Sequence, residues 1–332
     1  MIPHSLRMLG AAALTSLALA ASAQTFSDPQ WEALLEAGKV DELGRLAQAR
    51  LHTQPTDPQA TLAIGLAAMG DKDDARLDAA VKQAERCVQA QPNSAVCHYA
   101  LGSVLGTQAM RGGMLKAMRL VGSVKGALTK AVELDPLHAD AREALLQFYL
   151  AAPGVAGGSV DKAREVAQQA QARQPELTKL LLARVAMHEK QWDQAEQLLA
   201  GVRAGDDKNL QAGLREGWGA LGAQWMQQKQ PARAKPVFER LQREHAAYAI
   251  GAYGLGRALL ELGAADEALA QLERARPLKG ADRFPIDYRV ALAWLQKGDK
   301  GRAKPLLERF VSAGKGHPAN LEDARKRLAE LG

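Results

Sequence analysis

The chain has 332 residues and a formal net charge of +6, and 47% of its residues are hydrophobic whereas only 5% are aromatic. It contains 64 alanines but 4 isoleucines. Because strands draw on β-branched and aromatic residues, this composition favours helix over sheet, and the apolar content excludes a wholly disordered chain. Basic and acidic residues are mostly interleaved along the predicted helix faces and no Lys/Arg block with aromatic residues occurs, so no nucleic-acid partner is expected.

The first 23 residues have the features of a secretory signal peptide. An apolar run over 9–20 is followed by a small-x-small tripeptide at 21–23, the pattern that signal peptidase cleaves. We therefore expect cleavage before Gln24 and a periplasmic mature chain over 24–332. The run is too short to span a bilayer and no later run is longer, so no integral membrane segment is expected in the mature chain. A retained membrane anchor is the alternative.

Irregular helical hairpins are predicted for the first half of the mature chain, over 30–206. Residues 31–55 form a short starting pair, and a second unit covers roughly 58–92. Two later units are lengthened by extra residues near 107–121 and 152–159. Proline-containing turns separate successive helices, which supports these boundaries.

Two cysteines, Cys87 and Cys97, flank the turn at Pro92. In an exported protein an even number of cysteines favours a disulfide. Antiparallel helices on the two sides of the turn would bring the side chains near one another, although the distance between helix axes makes the fit demanding. The alternative is a pair of small buried thiols in a tight helix contact. We favour the disulfide, chiefly because of the compartment.

The insertion near 107–121 carries Met110, Met114 and Met118 at helical spacing, beside several basic side chains. Such a stripe is either an adaptable surface for a partner or part of the packing against the glycine-rich loop at 152–159. Because methionines at helical spacing usually lie in a core, we favour packing against the loop.

The last third of the chain is an internal repeat. The segment 233–241 reads RAKPVFERL and recurs at 302–310 as RAKPLLERF, with six of nine residues identical at an offset of 69. A weaker copy begins at Glu267, midway between the two. The period is therefore 34 or 35 residues, which predicts regular helical repeats over 210–316, followed by one terminal helix over 319–331.

One unit carries a complete repeat signature, with W-x-x-L-G-x-x-W at 218–225 followed by A-x-x-x-F at 234–238. This unit resembles the tetratricopeptide repeat, a helix–turn–helix of 34 residues. The small residues Gly222 and Ala234 would let the two helices approach closely. The resemblance extends over nearly all of 30–316. It implies an all-α fold, a right-handed superhelical solenoid of seven or eight antiparallel helix pairs.

The resemblance also implies a binding scaffold, because stacked repeats expose an extended concave surface that usually holds a protein or peptide. The hairpin register predicts that first-helix positions next to the small residue face this groove. Because Tyr253 and Arg257 should face the groove, we expect their replacement by alanine to cost little stability. The groove residues predicted in this way are Tyr99, Gln147, Arg184, His188, Tyr253, Arg257 and Tyr288, accompanied by Leu180, Met187, Met226 and Leu292.

No sequence pattern indicates catalysis or a cofactor. The histidines are scattered, and no zinc-protease, redox or serine-hydrolase motif occurs. The predicted function is therefore a non-catalytic periplasmic scaffold that binds a protein or extended peptide. Two alternatives stay open, a structural subunit of a secretion or polysaccharide-export assembly in the cell envelope and an envelope enzyme with a site between repeats.

Overall fold

The computed structural model describes residues 25–332, so the predicted signal peptide and its cleavage site lie outside the described residues. Over this range the chain forms helices and turns, with no β-strand. Two short 3-10 helices, Gly154–Ala156 and Ala281–Arg283, lie in connections. The α-helices are α1 (Pro29–Glu36), α2 (Val40–Thr53), α3 (Pro58–Gly70), α4 (Asp74–Ala90), α5 (Ala95–Arg111), α6 (Gly113–Leu134), α7 (Ala139–Ala151), α8 (Val160–Gln168), α9 (Pro175–His188), α10 (Trp192–Ala200), α11 (Lys208–Gln227), α12 (Pro231–Glu244), α13 (Ala249–Glu261), α14 (Ala265–Ala275), α15 (Ile286–Gln296), α16 (Lys300–Ala313) and α17 (Pro318–Leu331).

These helices are arranged in two layers. Each odd-numbered helix from α1 to α15 packs against the helix that follows it, which gives eight hairpins, and α17 packs on α16. The first helices of successive hairpins also contact one another, from α3 on α5 through to α13 on α15. The first helices therefore form an inner layer and the second helices an outer layer. This arrangement confirms the predicted all-α solenoid of helix pairs.

Capping residues explain where many of these helices begin and end. The side chains of Asp57, Ser94 and Asp207 each accept a hydrogen bond from a backbone N–H group in the first turn of the following helix. Gly263 and Gly298 follow the ends of α13 and α15 with φ values of +83° and +79°, a left-handed conformation that favours glycine. The sequence thus specifies the turns as well as the helices.

Close helix packing in the regular repeats is centred on Phe238 of α12. A Cβ atom added to Gly222 of α11 would lie 2.7 Å from this ring, and one added to Gly254 of α13 would lie 2.2 Å from it. The ring therefore packs against backbone on two neighbouring first helices. Trp225 and Ala234 beside it are also buried. The inferred role of Gly222 in close packing is confirmed.

The α5–α6 hairpin is longer than the hairpins beside it. Its helices have 17 and 22 residues, against 13 and 17 for α3 and α4 and 13 and 9 for α7 and α8. Gly113 has a φ of +74° and lets α6 begin immediately after α5 ends. The 3-10 turn of the 152–159 loop contacts α6, yet Met110, Met114 and Met118 are exposed. The preferred prediction that these methionines pack against the loop is therefore wrong, because the hairpin extends past its neighbours.

Candidate functional site

The inner layer forms the candidate binding surface, and it contains a pocket of about 430 Å³ between α7, α9 and α11. We call this the central pocket. Apolar side chains of α9 form part of its wall, and charged side chains from all three helices face it. Among its lining residues are Asp140, Glu143, Leu180, Arg184, Gly213 and Glu216.

Arg184 lies between two carboxylates in the central pocket. A guanidinium nitrogen is 2.8 Å from Glu143 Oε1 and 3.8 Å from Glu216 Oε2. Burial raises the pKa of Glu143, and the charge of Arg184 opposes that increase. The structure thus places this predicted groove residue in the inner layer, but its charge is already matched by acidic groups of the same chain.

The beginning of the described chain lies against the same region. Thr25 Oγ1 donates a 3.0 Å hydrogen bond to Asp140 on α7, and Lys208 Nζ on α11 pairs with Glu36 at 2.8 Å. Tyr99 lies nearby, with its ring 5.0 Å from that of His138. Burial and the charge of Asp140 raise the pKa of Tyr99 above its usual range. Tyr99 is therefore half-buried beside His138 in the inner layer.

Gln147 and His188 are the most accessible of the predicted groove residues. Gln147 lies on α7 and His188 ends α9, and both side chains are exposed. Because both helices belong to the inner layer, these two polar groups are available to a ligand that enters the groove.

Tyr253 and Tyr288 occupy positions that the sequence analysis did not anticipate. Tyr253 is buried, with its ring stacked on Phe284 at a centroid distance of 4.4 Å. Tyr288 is buried as well, stacks on Phe310 at 5.2 Å and donates a 2.7 Å hydrogen bond to Asp323. The burial of Tyr253 argues against the expectation that it can be replaced by alanine at little cost in stability. The hairpin register could not show that the α14–α15 connection and α17 cover them.

Arg257 differs from the two tyrosines. It is half-buried on α13, and Arg289 is half-buried on α15, the next helix of the inner layer. Burial and the neighbouring charge of Arg289 lower the pKa of Arg257. The Nε atoms of both are buried without a hydrogen-bond partner, and neither side chain forms an ion pair with a residue of 25–332. We call Arg257 and Arg289 the arginine pair.

Sequence reasoning missed Arg289, Glu143 and Glu216. Arg289 lies one helical turn before Leu292, which was predicted to face the groove. Residues three apart share a helix face, so this spacing could have identified Arg289 as a groove residue. Glu143 likewise lies one turn before Gln147. The pairing of Glu143 and Glu216 with Arg184 depends on three different hairpins, and no spacing in the sequence reveals it.

Cys87 and Cys97 lie on either side of the α4–α5 turn. The structure joins them by a disulfide with Cα atoms 5.5 Å apart, and both residues are fully buried. The bond ties the last turn of one hairpin to the first turn of the next.

Two kinds of site are missing from the part of the chain that the structure describes. No group of three or more His, Cys, Asp or Glu side chains in this part is arranged to hold a metal ion. None of its helices combines the length and the apolar character that crossing a bilayer requires. What the inner layer offers is polar and charged side chains along an extended surface.

A family model described as tetratricopeptide repeat matches residues 226–283. No curated protein sequence is significantly similar to the chain. Among solved structures, yeast Tom70 has a TM-score of 0.59 at 14% identity, over 89% of this chain and 59% of that one. The human IFIT1 dimer with PPP-AAAA has a TM-score of 0.50 at 16% identity, over 91% of this chain and 72% of that one.

A chain of the APC/C hetero-tetramer Cut9–Hcn1 has a TM-score of 0.49 at 17% identity, and the match covers 90% of this chain but only 54% of that one. At 14% and 16% identity, the matches with Tom70 and IFIT1 show a shared fold and carry no function. The repeat signature, the layered helix pairs and the family match over 226–283 agree with one another. The chain is a tetratricopeptide repeat protein.

Proposed function

We propose that the protein is a non-catalytic scaffold that binds an extended, acidic segment of a partner protein along its inner layer, in the periplasm. The observation that carries the proposal is the arginine pair. Tetratricopeptide repeats generally serve protein–protein interaction, so the fold is consistent with this role.

The electrostatics of the inner layer favour an acidic ligand at the arginine pair. Two neighbouring guanidinium groups repel one another, and their buried Nε–H groups lack acceptors. Glu261 is close enough to act on Arg257, but it forms no ion pair with it. A carboxylate supplied by a ligand would satisfy both guanidinium groups through charge-assisted hydrogen bonds.

The geometry favours an extended ligand. The inner layer runs without interruption along the first helices, from the central pocket between α7 and α11 to the arginine pair on α13 and α15. Exposed Gln147 and His188 offer further polar contacts on this side of the solenoid. An extended peptide can use such separated contacts, because its backbone and alternate side chains are accessible along its length.

Two features support the compartment. The apolar run followed by the small-x-small tripeptide at 21–23 is typical of an exported protein. The disulfide between Cys87 and Cys97 suits an oxidising compartment. The absence of catalysis in this proposal rests on the repeat family and on the lack of a catalytic motif in the sequence.

A peptide library displayed on phage tests the proposal. We expect selection on the wild type to enrich peptides that contain Asp and Glu, and selection on Arg257→Gln/Arg289→Gln to lose that enrichment. The matched control is Arg243→Gln, which removes an exposed guanidinium from the outer helix α12. An acidic enrichment that is equal in the double variant, or no acidic enrichment with the wild type, would contradict the proposal.

A further inference from the structure

The end of the α5–α6 hairpin is an exposed apolar surface. Residues 110–119, which we call the hairpin tip, are all exposed except Ala117. The exposed fractions of Met110, Met114, Leu115 and Met118 are 87%, 81%, 74% and 62%. Exposed apolar side chains usually occur singly, whereas a cluster of this kind marks a surface that meets an apolar environment.

The four apolar residues lie within nine positions of the chain, on either side of one turn. Met114, Leu115 and Met118 share one side of the first turns of α6, because residues four apart on a helix are neighbours. Met110 belongs to the last turn of α5, just before the two-glycine turn. The cluster therefore lies at the outermost end of the longest hairpin.

The surroundings of this cluster are basic. No Asp or Glu occurs between Glu85 and Glu133, a stretch that covers all of α5 and most of α6. Lys116 and Arg119 lie on the same turns as the methionines, are exposed, and form no ion pair with any residue of 25–332. Apolar side chains are thus bordered by unpaired positive charges.

The base of the hairpin tip is anchored to the neighbouring hairpin. The Arg111 guanidinium donates to the backbone oxygen of Met69 at 2.8 Å and lies 3.7 Å from Asp74. Asp71, Asp73 and Asp74 lie on that neighbouring turn, and Asp78 of α4 accepts a hydrogen bond from Gln108 of α5. They lie at the base, so the end of the tip keeps its positive charge.

We propose that the hairpin tip docks on the surface of an anionic lipid bilayer, with Met114, Leu115 and Met118 inserted at the interface and with Lys116 and Arg119 on lipid phosphates. Exposed apolar groups beside basic residues are the combination that peripheral membrane segments use. The proposal concerns a surface other than the inner layer and does not depend on the ligand proposed there.

The shape of the hairpin tip favours a bilayer over a protein partner. A stable protein interface buries about 800 Å² on each partner, which requires a broad or concave surface. The hairpin tip consists of the adjoining ends of two helices, so it offers only a small surface that projects from the solenoid. Such a tip can enter the boundary between lipid headgroups and acyl chains without any preformed pocket.

Vesicle flotation with the purified mature chain tests the proposal. The probes are vesicles of phosphatidylcholine alone and vesicles that also contain about 30% phosphatidylglycerol, which supply the negative surface potential. We expect binding to the anionic vesicles only. Met114→Asp/Met118→Asp and, separately, Lys116→Ala/Arg119→Ala should each reduce the bound fraction by about tenfold.

The matched control for the charge change is Leu137→Asp/Leu262→Asp, which places acidic groups at exposed leucines away from the hairpin tip. This variant should bind vesicles as the wild type does, and thermal melts should show that all variants stay folded. Failure of the wild type to bind anionic vesicles, or equal binding by the tip variants, would overturn the proposal. A third outcome would also overturn it. In that outcome the wild type binds no vesicles and sediments as a dimer, and the Met114→Asp/Met118→Asp variant sediments as a monomer.

Discussion

Tyr253 and Arg257 lie one turn apart on α13, yet their surroundings differ. The Tyr253 ring is stacked on Phe284, whereas the Arg257 side chain is half-buried and feels the charge of Arg289. The sequence predicted that both face the groove, because it fixes the side of the helix but not what covers that side. A connection of about ten residues between α14 and α15 brings Phe284 over the tyrosine. A register derived from 34-residue repeats does not predict where such long connections lie.

Replacement of Tyr253 by Ala tests this reassignment. Because the substitution removes a buried aromatic ring, we expect the free energy of unfolding to fall by about 3 kcal/mol or more. Urea unfolding measures the change. The matched control is Gln147→Ala, an exposed residue of the same inner layer, which should alter the free energy by less than about 0.5 kcal/mol. If both substitutions changed the free energy of unfolding by the same small amount, Tyr253 would be a groove residue and not a buried one.

Tyr288 makes a specific contribution through Asp323. Burial alone would raise the pKa of Asp323, but hydrogen bonds from Arg327 and Tyr288 outweigh it and lower this pKa below its usual value. Burial and the same hydrogen bond raise the pKa of Tyr288 to about 12. A carboxyl with a lowered folded-state pKa stabilises the protein above its unfolded pKa, and the stabilisation is lost as the pH falls through the folded pKa.

We therefore expect Tyr288→Phe to reduce the free energy of unfolding by about 1 kcal/mol at neutral pH. At about pH 3, near or below the unfolded pKa of Asp, the reduction should be smaller. Urea unfolding of both proteins at the two pH values makes the comparison. A loss that grows in acid would show that the hydrogen bond to Asp323 is not what Tyr288 contributes.

At the scale of the helices, small residues decide how closely the layers pack. The repeat signature identified Gly222 and Ala234 as close-packing positions, and the structure places Phe238 against Gly222. It also places Gly254 of the following hairpin against the same ring, which the signature did not reveal. Signatures describe contacts within one repeat, whereas contacts between repeats depend on how the hairpins stack.

Gly254→Ala measures that contact between repeats. A new Cβ 2.2 Å from the Phe238 ring has no room, so the free energy of unfolding should fall by about 1–3 kcal/mol. The matched control is Gly126→Ala in α6, where no atom lies within 4 Å of the new Cβ. That change should stabilise the helix by up to about 1 kcal/mol. Stabilisation by both substitutions would contradict the placement of Phe238.

For the whole molecule, the helix periodicity and the repeat signature sufficed to predict the all-α solenoid. The insertions at 107–121 and 152–159 were located in the sequence, but the exposure of Met114 was not. Periodicity shows that side chains share a helix face, and only the relative lengths of neighbouring hairpins show whether that face has anything to pack against. Only one member of the arginine pair was predicted from the sequence. The hairpin register placed Arg257 in the groove, whereas Arg289 was identified from the contact between α13 and α15.

We expect the mature chain to be exported and its two cysteines to be oxidised to a disulfide. Protein recovered from the periplasm should begin at Gln24, and thiol labelling after denaturation without reductant should detect no free cysteine. Reduction should lower the free energy of unfolding by about 2–3 kcal/mol, because the disulfide restrains a short loop of the unfolded chain. Two labelled thiols in the oxidised preparation, or an N terminus at Met1, would contradict this expectation.

The central claim is that the inner layer binds an acidic ligand through the arginine pair. Its most direct test is the affinity of one selected acidic peptide, measured by titration calorimetry for the wild type, for Arg257→Gln/Arg289→Gln and for the outer-layer control Arg243→Gln. Loss of two charge-assisted contacts should weaken binding by the double variant at least about tenfold, while the control changes affinity by less than about twofold. Equal affinities for the wild type and the double variant, with both folded, would contradict the claim.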